Sequence, residues 1–196
     1  MFSNPSASVS SSRMIGIGDT GDKNIYVYNN LIDCGNSAIG IKAAEGGAIS
    51  NLTVVNNAMR GCDIFGYYAN VTVGTGIIDH NVYEGITASS DSFKWNNGYT
   101  SLSGMRATGL ETTSTFPSNL GINTAGQPQS GSALIHNGTT NFPNLASLCS
   151  GNRLSLCSDY TGSKRAAAGS NNNWDAGAYV YGGGPARPTA LVATAN

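Results

Sequence analysis

A repeat constrains this chain more than any other feature of its sequence. Asn24-Ile-Tyr-Val-Tyr-Asn-Asn30 returns as Asn51-Leu-Thr-Val-Val-Asn-Asn57, 27 residues further on, and Asn70-Val-Thr-Val73 begins a third copy. In each copy apolar residues alternate (Ile25 and Val27, Leu52 and Val54, Val71 and Val73), and an Asn-Asn or Gly turn leads into a second apolar stretch (Leu31-Ile32, Ala58-Met59, Ile77-Ile78). The period of two and the β-branched residues predict strand, turn, strand, with no helical periodicity. A unit of this size cannot bury its inward residues alone and must stack on its neighbours. Stacking would set the Asn pairs above one another, where Asn tolerates left-handed dihedrals and its amide can bond to the next layer.

From Ile86 to Gln129 the repeat dissolves into Ser, Thr, Gly and isolated aromatics, read as long loops with a short helical element over Ser101 to Ala107. Ser132 to Ile135 and Trp174 to Tyr181 are expected as two more strands. Gly182-Gly-Gly-Pro-Ala-Arg-Pro188 reads as a linker before a tail over Thr189 to Asn196 that leads to a neighbouring domain or ends disordered. The expected organisation is an N-terminal irregular segment or entry coil (1–23), stacked coils with a closing segment (24–181), and a Gly/Pro-rich tail (182–196).

Composition excludes several classes of partner. Charged residues are 11% of the 196, and the formal net charge is −1. No basic footprint for a phosphate backbone is present, so nucleic acid is not an expected partner. No apolar run approaches the roughly 18 residues of a membrane-spanning helix, so no membrane insertion is expected. Met1 to Arg13 lack the features of an export signal, which is expected to be absent here. Gly16-Ile-Gly-Asp-Thr-Gly21 fits a dinucleotide fingerprint, but a strand pattern follows it instead of a helix, so it is a loop. The three Asn-x-Thr acceptor patterns, at Asn51, Asn70 and Asn137, carry no assigned function. Cys34, Cys62, Cys149 and Cys157 show no metal-ligand spacing. Cys149 and Cys157 flank a short Gly- and Asn-containing segment, which either closes as a disulfide in an oxidising compartment or holds two buried thiols.

The order of the repeats, Asp79-His-Asn-Val-Tyr-Glu84, Phe93-Lys-Trp95, Ser101-Leu102 and Thr108-Gly109 resembles the last coils of the pectate-lyase-like superfamily. So does the ending Ser132-Ala-Leu-Ile-His-Asn-Gly138, Asp159-Tyr-Thr-Gly-Ser-Lys-Arg165 and Asp175-Ala-Gly-Ala-Tyr-Val180. Val180 stands where the family often has Glu. The resemblance implies an all-β fold, a right-handed parallel β-helix (β-solenoid) of few coils with a C-terminal closing segment, forming the C-terminal portion of a secreted or extracellular protein. It implies a polysaccharide partner, lyase or hydrolase chemistry, and possible use of Ca²⁺. Asp159, Arg165 and Asp175 would pair where the last coil hides its open edge.

The residue types suited to such chemistry are Asp79, His80, Lys94 and Arg106 as acid, base and cation candidates. No contiguous acid pair occurs, and the signatures of the pectin-hydrolysing relatives are absent. Asp33 and Arg60, aligned by the repeat, are read as a structural ion pair. Tyr67, Tyr68, Trp95 and Tyr99 are the candidates for a sugar platform, because flat rings stack on the apolar faces of pyranoses. The alternative is a non-catalytic extracellular module, an adhesin, fibre or glycan-binding surface, with self-association through its open ends.

Overall fold

The alternating segments pair side by side. In the computed structural model, which describes residues 2–3, 13–18, 21–43, 47–149, 157–165 and 174–182, β3 (Lys23–Tyr28) lies parallel to β5 (Ile49–Val55), and Ile25 faces Leu52 while Val27 faces Val54. The second halves of the repeat pair likewise, β4 (Leu31–Ala43) with β6 (Ala58–Tyr68). Two sheets result. The smaller one adds β7 (Val71–Thr72) and β8 (Ile78–Asp79) to the free side of β5. The larger adds β1 (Phe2–Ser3) and β2 (Arg13–Ile17) beside β4, and β9 (Val82–Tyr83) and β10 (Phe93–Trp95) beside β6, with β11 (Gly98–Thr100) at its end.

The inward residues of both sheets, among them Val27, Leu52, Val54, Ile32, Ile41 and Met59, form one buried apolar cluster. Tyr83 packs edge-on against Phe65 and Phe93 in it, a favoured geometry for aromatic pairs.

This architecture corrects the expectation of a parallel β-helix. The fold is a multi-sheet mixed one: seven strands and four strands, with an antiparallel hairpin of β10 and β11, and no closed solenoid among the described residues. The physical reason lies in the sequence beyond Tyr68. Strands shrink to two residues where Gly74, Gly76 and Gly85 interrupt the pattern, and among the described residues after Thr100 the only β pairing is by isolated bridges. Ser132 to Ile135 and Trp174 to Tyr181, expected as strands, are turns and bends. The helical element is present as α1 (Leu102–Ala107), capped by the Ser101 hydroxyl, which accepts from the Gly104 amide. A second short helix, α2 (Leu145–Leu148), had no counterpart in the sequence reading.

The segments expected as closing strands instead cover the outer side of the larger sheet at the starts of β4, β6 and β9. Leu31, Ala58 and Val82 are buried there under Leu134, Ala176, Ala178 and Tyr179. Gly177, at φ +85°, lies 3.3 Å from the Ala58 side chain through its missing Cβ, and its amide donates to the Asn56 carbonyl. Arg165 donates from Nη1 to the Asp175 carbonyl and from Nη2 to that of Gly177. Asp159 accepts the Thr161, Ser163 and Val180 amides, and Asp175 those of His136 and Tyr181. Burial pulls the Arg165 guanidinium down to about 10 against the opposing pull of Asp159 and Asp175.

Two disulfides, Cys34–Cys62 and Cys149–Cys157, mark a secreted or extracellular chain folded in an oxidising compartment. The second is one of the two alternatives the spacing left open. The first joins adjacent strands β4 and β6, with Cα atoms 4.8 Å apart. Residues 150–156, within the Cys149–Cys157 loop, and 183–196, most of the expected tail, lie outside the described residues.

Candidate functional site

Register and pleat together create a row on the exposed face of the larger sheet. Ile41 and Ala43 are buried, so Lys42 between them points outward; the same alternation turns Tyr67 out between Gly66 and Tyr68. Lys42 pairs with Tyr67, Tyr67 with Lys94, and Lys94 with Tyr99, so cation, ring, cation and ring follow one another across four strands. Neighbouring strands stand about 4.8 Å apart, so the row runs for some 14 Å across the sheet.

The side chains of the row touch. The Lys42 ammonium lies 5.2 Å and the Lys94 ammonium 5.0 Å from the centroid of the Tyr67 ring, and Lys94 lies 4.3 Å from that of Tyr99. These are cation–π contacts, in which the ring quadrupole attracts the ammonium group. The Tyr67 hydroxyl donates to Asn97 Oδ1 at 3.2 Å. Asn96 and Asn97 both have positive φ, as the two-residue turn between β10 and β11 requires. Tyr99 is 64% exposed.

A second outward row lies nearer the strand starts. Arg60 Nε donates to Asp33 Oδ2 at 2.8 Å, the structural ion pair expected from the repeat. Glu84 Oε2 accepts the Leu120 amide.

Of the four residues expected in a sugar platform, Tyr67 and Tyr99 belong to the row. Tyr68 is fully buried, and Trp95 packs edge-on against it at 6.3 Å from the inner side, so neither reaches the exposed face. Lys94, expected as a catalytic group, is the second cation of the row. The other three candidates are elsewhere.

Asp79 ends β8, and its carboxylate is taken up by the His80 and Thr113 amides and the Thr112 and Thr113 hydroxyls. Burial raises its pKa, but these hydrogen bonds outweigh burial and hold it below the usual carboxylate range. His80 occupies the turn position that Asn29 and Asn56 fill in the preceding copies, all three with φ near +57°. Burial lowers its pKa, with Asp79 opposing. Arg106, on α1, donates to the Glu111 and Ser114 carbonyls and stacks on Phe116. No hydrogen bond or ion pair joins Lys94 or Arg106 to the side chain of Asp79 or His80 among the described residues. The contacts of Lys94 thus run to Tyr67 and Tyr99, and those of Arg106 to Glu111, Ser114 and Phe116.

Two functional features escaped the sequence. Lys42 was not singled out, because the 27-residue repeat points it at Ala69; register shifts between Asp33 and Ile39 bring it to Tyr67 instead. Glu111, in the Ser/Thr-rich stretch, is fully buried and ends a ladder of amides: Asn30 Nδ2 donates to Asn57 Oδ1, Asn57 Nδ2 to Asn81 Oδ1, and Asn81 Nδ2 to the Glu111 carboxylate. Its position 30 residues after Asn81 was the available signal.

Among the described residues no group of three or more His, Cys, Asp or Glu could hold a metal ion, so no site for the Ca²⁺ implied by the resemblance is formed by them. No described helix is long and apolar enough to cross a membrane. Comparison with known proteins found no matching family model, no matching curated protein and no matching solved structure.

Proposed function

We propose that this protein is an extracellular module that binds an acidic polysaccharide through the Lys42–Tyr67–Lys94–Tyr99 row. One observation carries the reading: two ammonium groups flank a tyrosine ring in register on an exposed sheet face, in a chain whose net charge is slightly negative. An extended polyanion laid across the strands would meet two cations and the phenol groups between them. The cations supply attraction and the rings supply flat apolar area, while the rigid sheet lowers the entropic cost of holding the four side chains in place. Binding needs no catalytic cluster, in keeping with the internal commitments of Asp79 and Arg106.

Calorimetry against pectate, alginate, glycosaminoglycans and neutral glycans tests this. Saturable binding to one or more of the acidic polymers, with none to the neutral ones, supports the reading. Equal binding to both, or to neither, contradicts it. Unsaturated or reducing-end products in the same mixtures would replace the binding module by an enzyme.

A further inference from the structure

The Glu111 carboxylate is buried, and among the described residues its oxygens receive neutral donors and no cation. Asn81 Nδ2 lies 3.2 and 3.3 Å from its two oxygens, Tyr83 donates to Oε1 at 2.6 Å, and the Ser114 hydroxyl donates to Oε2. Ser114 Oγ also accepts the Asn81 amide and lies 3.4 Å from Asp79 Oδ1. A hydroxyl carries one hydrogen, so Ser114 can serve one carboxylate at a time. With Glu111 ionised, the hydrogen points to Glu111. With Glu111 protonated, its own O–H can donate to Ser114 Oγ, and the Ser114 hydrogen turns to Asp79. Every polar group of the cluster then has a partner, and no charge is buried at Glu111.

We infer that Glu111, Ser114 and Asp79 form a proton-operated latch that holds the Glu111–Thr115 segment against the Ile78–Tyr83 segment, closed when Glu111 is protonated and loosened when it is ionised. The segment is fastened by the Glu111 amide to the Ile78 carbonyl, the Thr115 amide to that of Asn81, and the Tyr83 amide to that of Thr115. On ionisation the proton leaves Glu111 for solvent base, and a carboxylate without a counter-charge remains in an apolar setting. Admitting water by opening the segment relieves that cost.

Burial and one of the charged groups facing Glu111 set this direction. Asp79 on β8 opposes its ionisation, and Tyr83 on β9 and Tyr68 on β6 are neutral phenols held far from their own ionisation by burial. Arg106 on α1 bonds to backbone carbonyls of the segment, and burial lowers the pKa of His80, beside Asp79, with Asp79 opposing. Burial lifts the Glu111 pKa to about 7, against the pull of Ser114, Tyr83 and Asn81, which places the transition near neutral pH.

Hydrogen exchange of the full chain, corrected for the intrinsic pH dependence of exchange, tests the latch. Protection of the amides over 111–115 is expected to fall at least about tenfold between roughly pH 5 and pH 8.5 while the Leu52–Val55 amides hold theirs. Glu111→Gln should abolish that difference. Ser114→Ala, which removes a charge-assisted hydrogen bond to the ionised form and a weaker neutral one to the protonated form, should move the midpoint to higher pH. A flat profile in the wild type, the same profile in Glu111→Gln, or an unmoved midpoint in Ser114→Ala would each overturn the inference; should Glu111→Gln not fold, the wild-type and Ser114→Ala profiles decide.

Discussion

The Lys94 ammonium rests 5.0 Å from the centre of the Tyr67 ring, on the strand next to it and in direct register with it. A half-buried cation held in this way at the sheet surface attracts polyanions by Coulomb forces that salt screens, with a Debye length of about 10 Å at 0.1 M. Affinity for an acidic polysaccharide should therefore fall severalfold as ionic strength rises from about 0.05 to 0.3 M. Titration calorimetry at three salt concentrations checks this, and a salt-independent affinity would speak for ring stacking alone.

The amide ladder should dominate the stability of the sheet turns. Asn57 is fully buried, and its Nδ2 reaches the Val27 and Val55 carbonyls as well as Asn81. Asn57→Ala leaves several of these groups unpaired, so a loss of about 2–4 kcal/mol is expected. Asn24→Ala, which breaks one exposed bond to Asn51 and places Ala at φ +56°, should cost about 1–2 kcal/mol. Urea unfolding midpoints measure both.

How far the sequence disclosed the fold depends on which residue is asked. Asn30 and Asn57 were legible as stacked partners because alternation and turn chemistry act locally and repeat. Lys42 was not, since the register shift between Asp33 and Ile39 breaks the period within β4 and no single residue announces it. Tyr68 was misplaced for a related reason: Tyr67 and Tyr68 are equivalent in composition, and only the pleat decides which one faces out. The closing segment was expected as strands at Ser132 to Ile135 and Trp174 to Tyr181. Its backbone instead turns on Gly177 and is held by Arg165. Glu111 lay in a stretch without period, where a tertiary hydrogen-bond network sets the conformation.

The two disulfides should contribute unequally. Cys34–Cys62 closes a loop of 28 residues and Cys149–Cys157 one of 8. Loop-closure entropy assigns them about 3.5 and about 2.5 kcal/mol. Paired Cys→Ala replacements followed by thermal unfolding should show the larger fall in midpoint for Cys34/Cys62, with the β4–β6 contact loosened.

Acid should destabilise the fold through Asp79. Its folded pKa lies below the ordinary 3.8, so the stability it confers is present above that value and is lost as pH falls through the folded one. Asp79→Asn should flatten the stability profile below about pH 4 and weaken the fold at neutral pH, because Nδ2 cannot accept the Thr112 hydroxyl now bonded to Oδ2, and a neutral Oδ1 accepts the Thr113 and His80 donors more weakly than a carboxylate does. Chemical denaturation across a pH series measures both effects.

The most direct measurement of the central claim is the affinity of the Lys42→Gln/Lys94→Gln double variant for the acidic polymer that the wild type binds best, beside Lys23→Gln, an exposed charge change on the smaller sheet. The glycan-binding row predicts at least about a tenfold loss for the double variant, some 1.4 kcal/mol or more, and a near-wild-type value for Lys23→Gln. Equal affinities for all three proteins, with folding intact by circular dichroism, would contradict it.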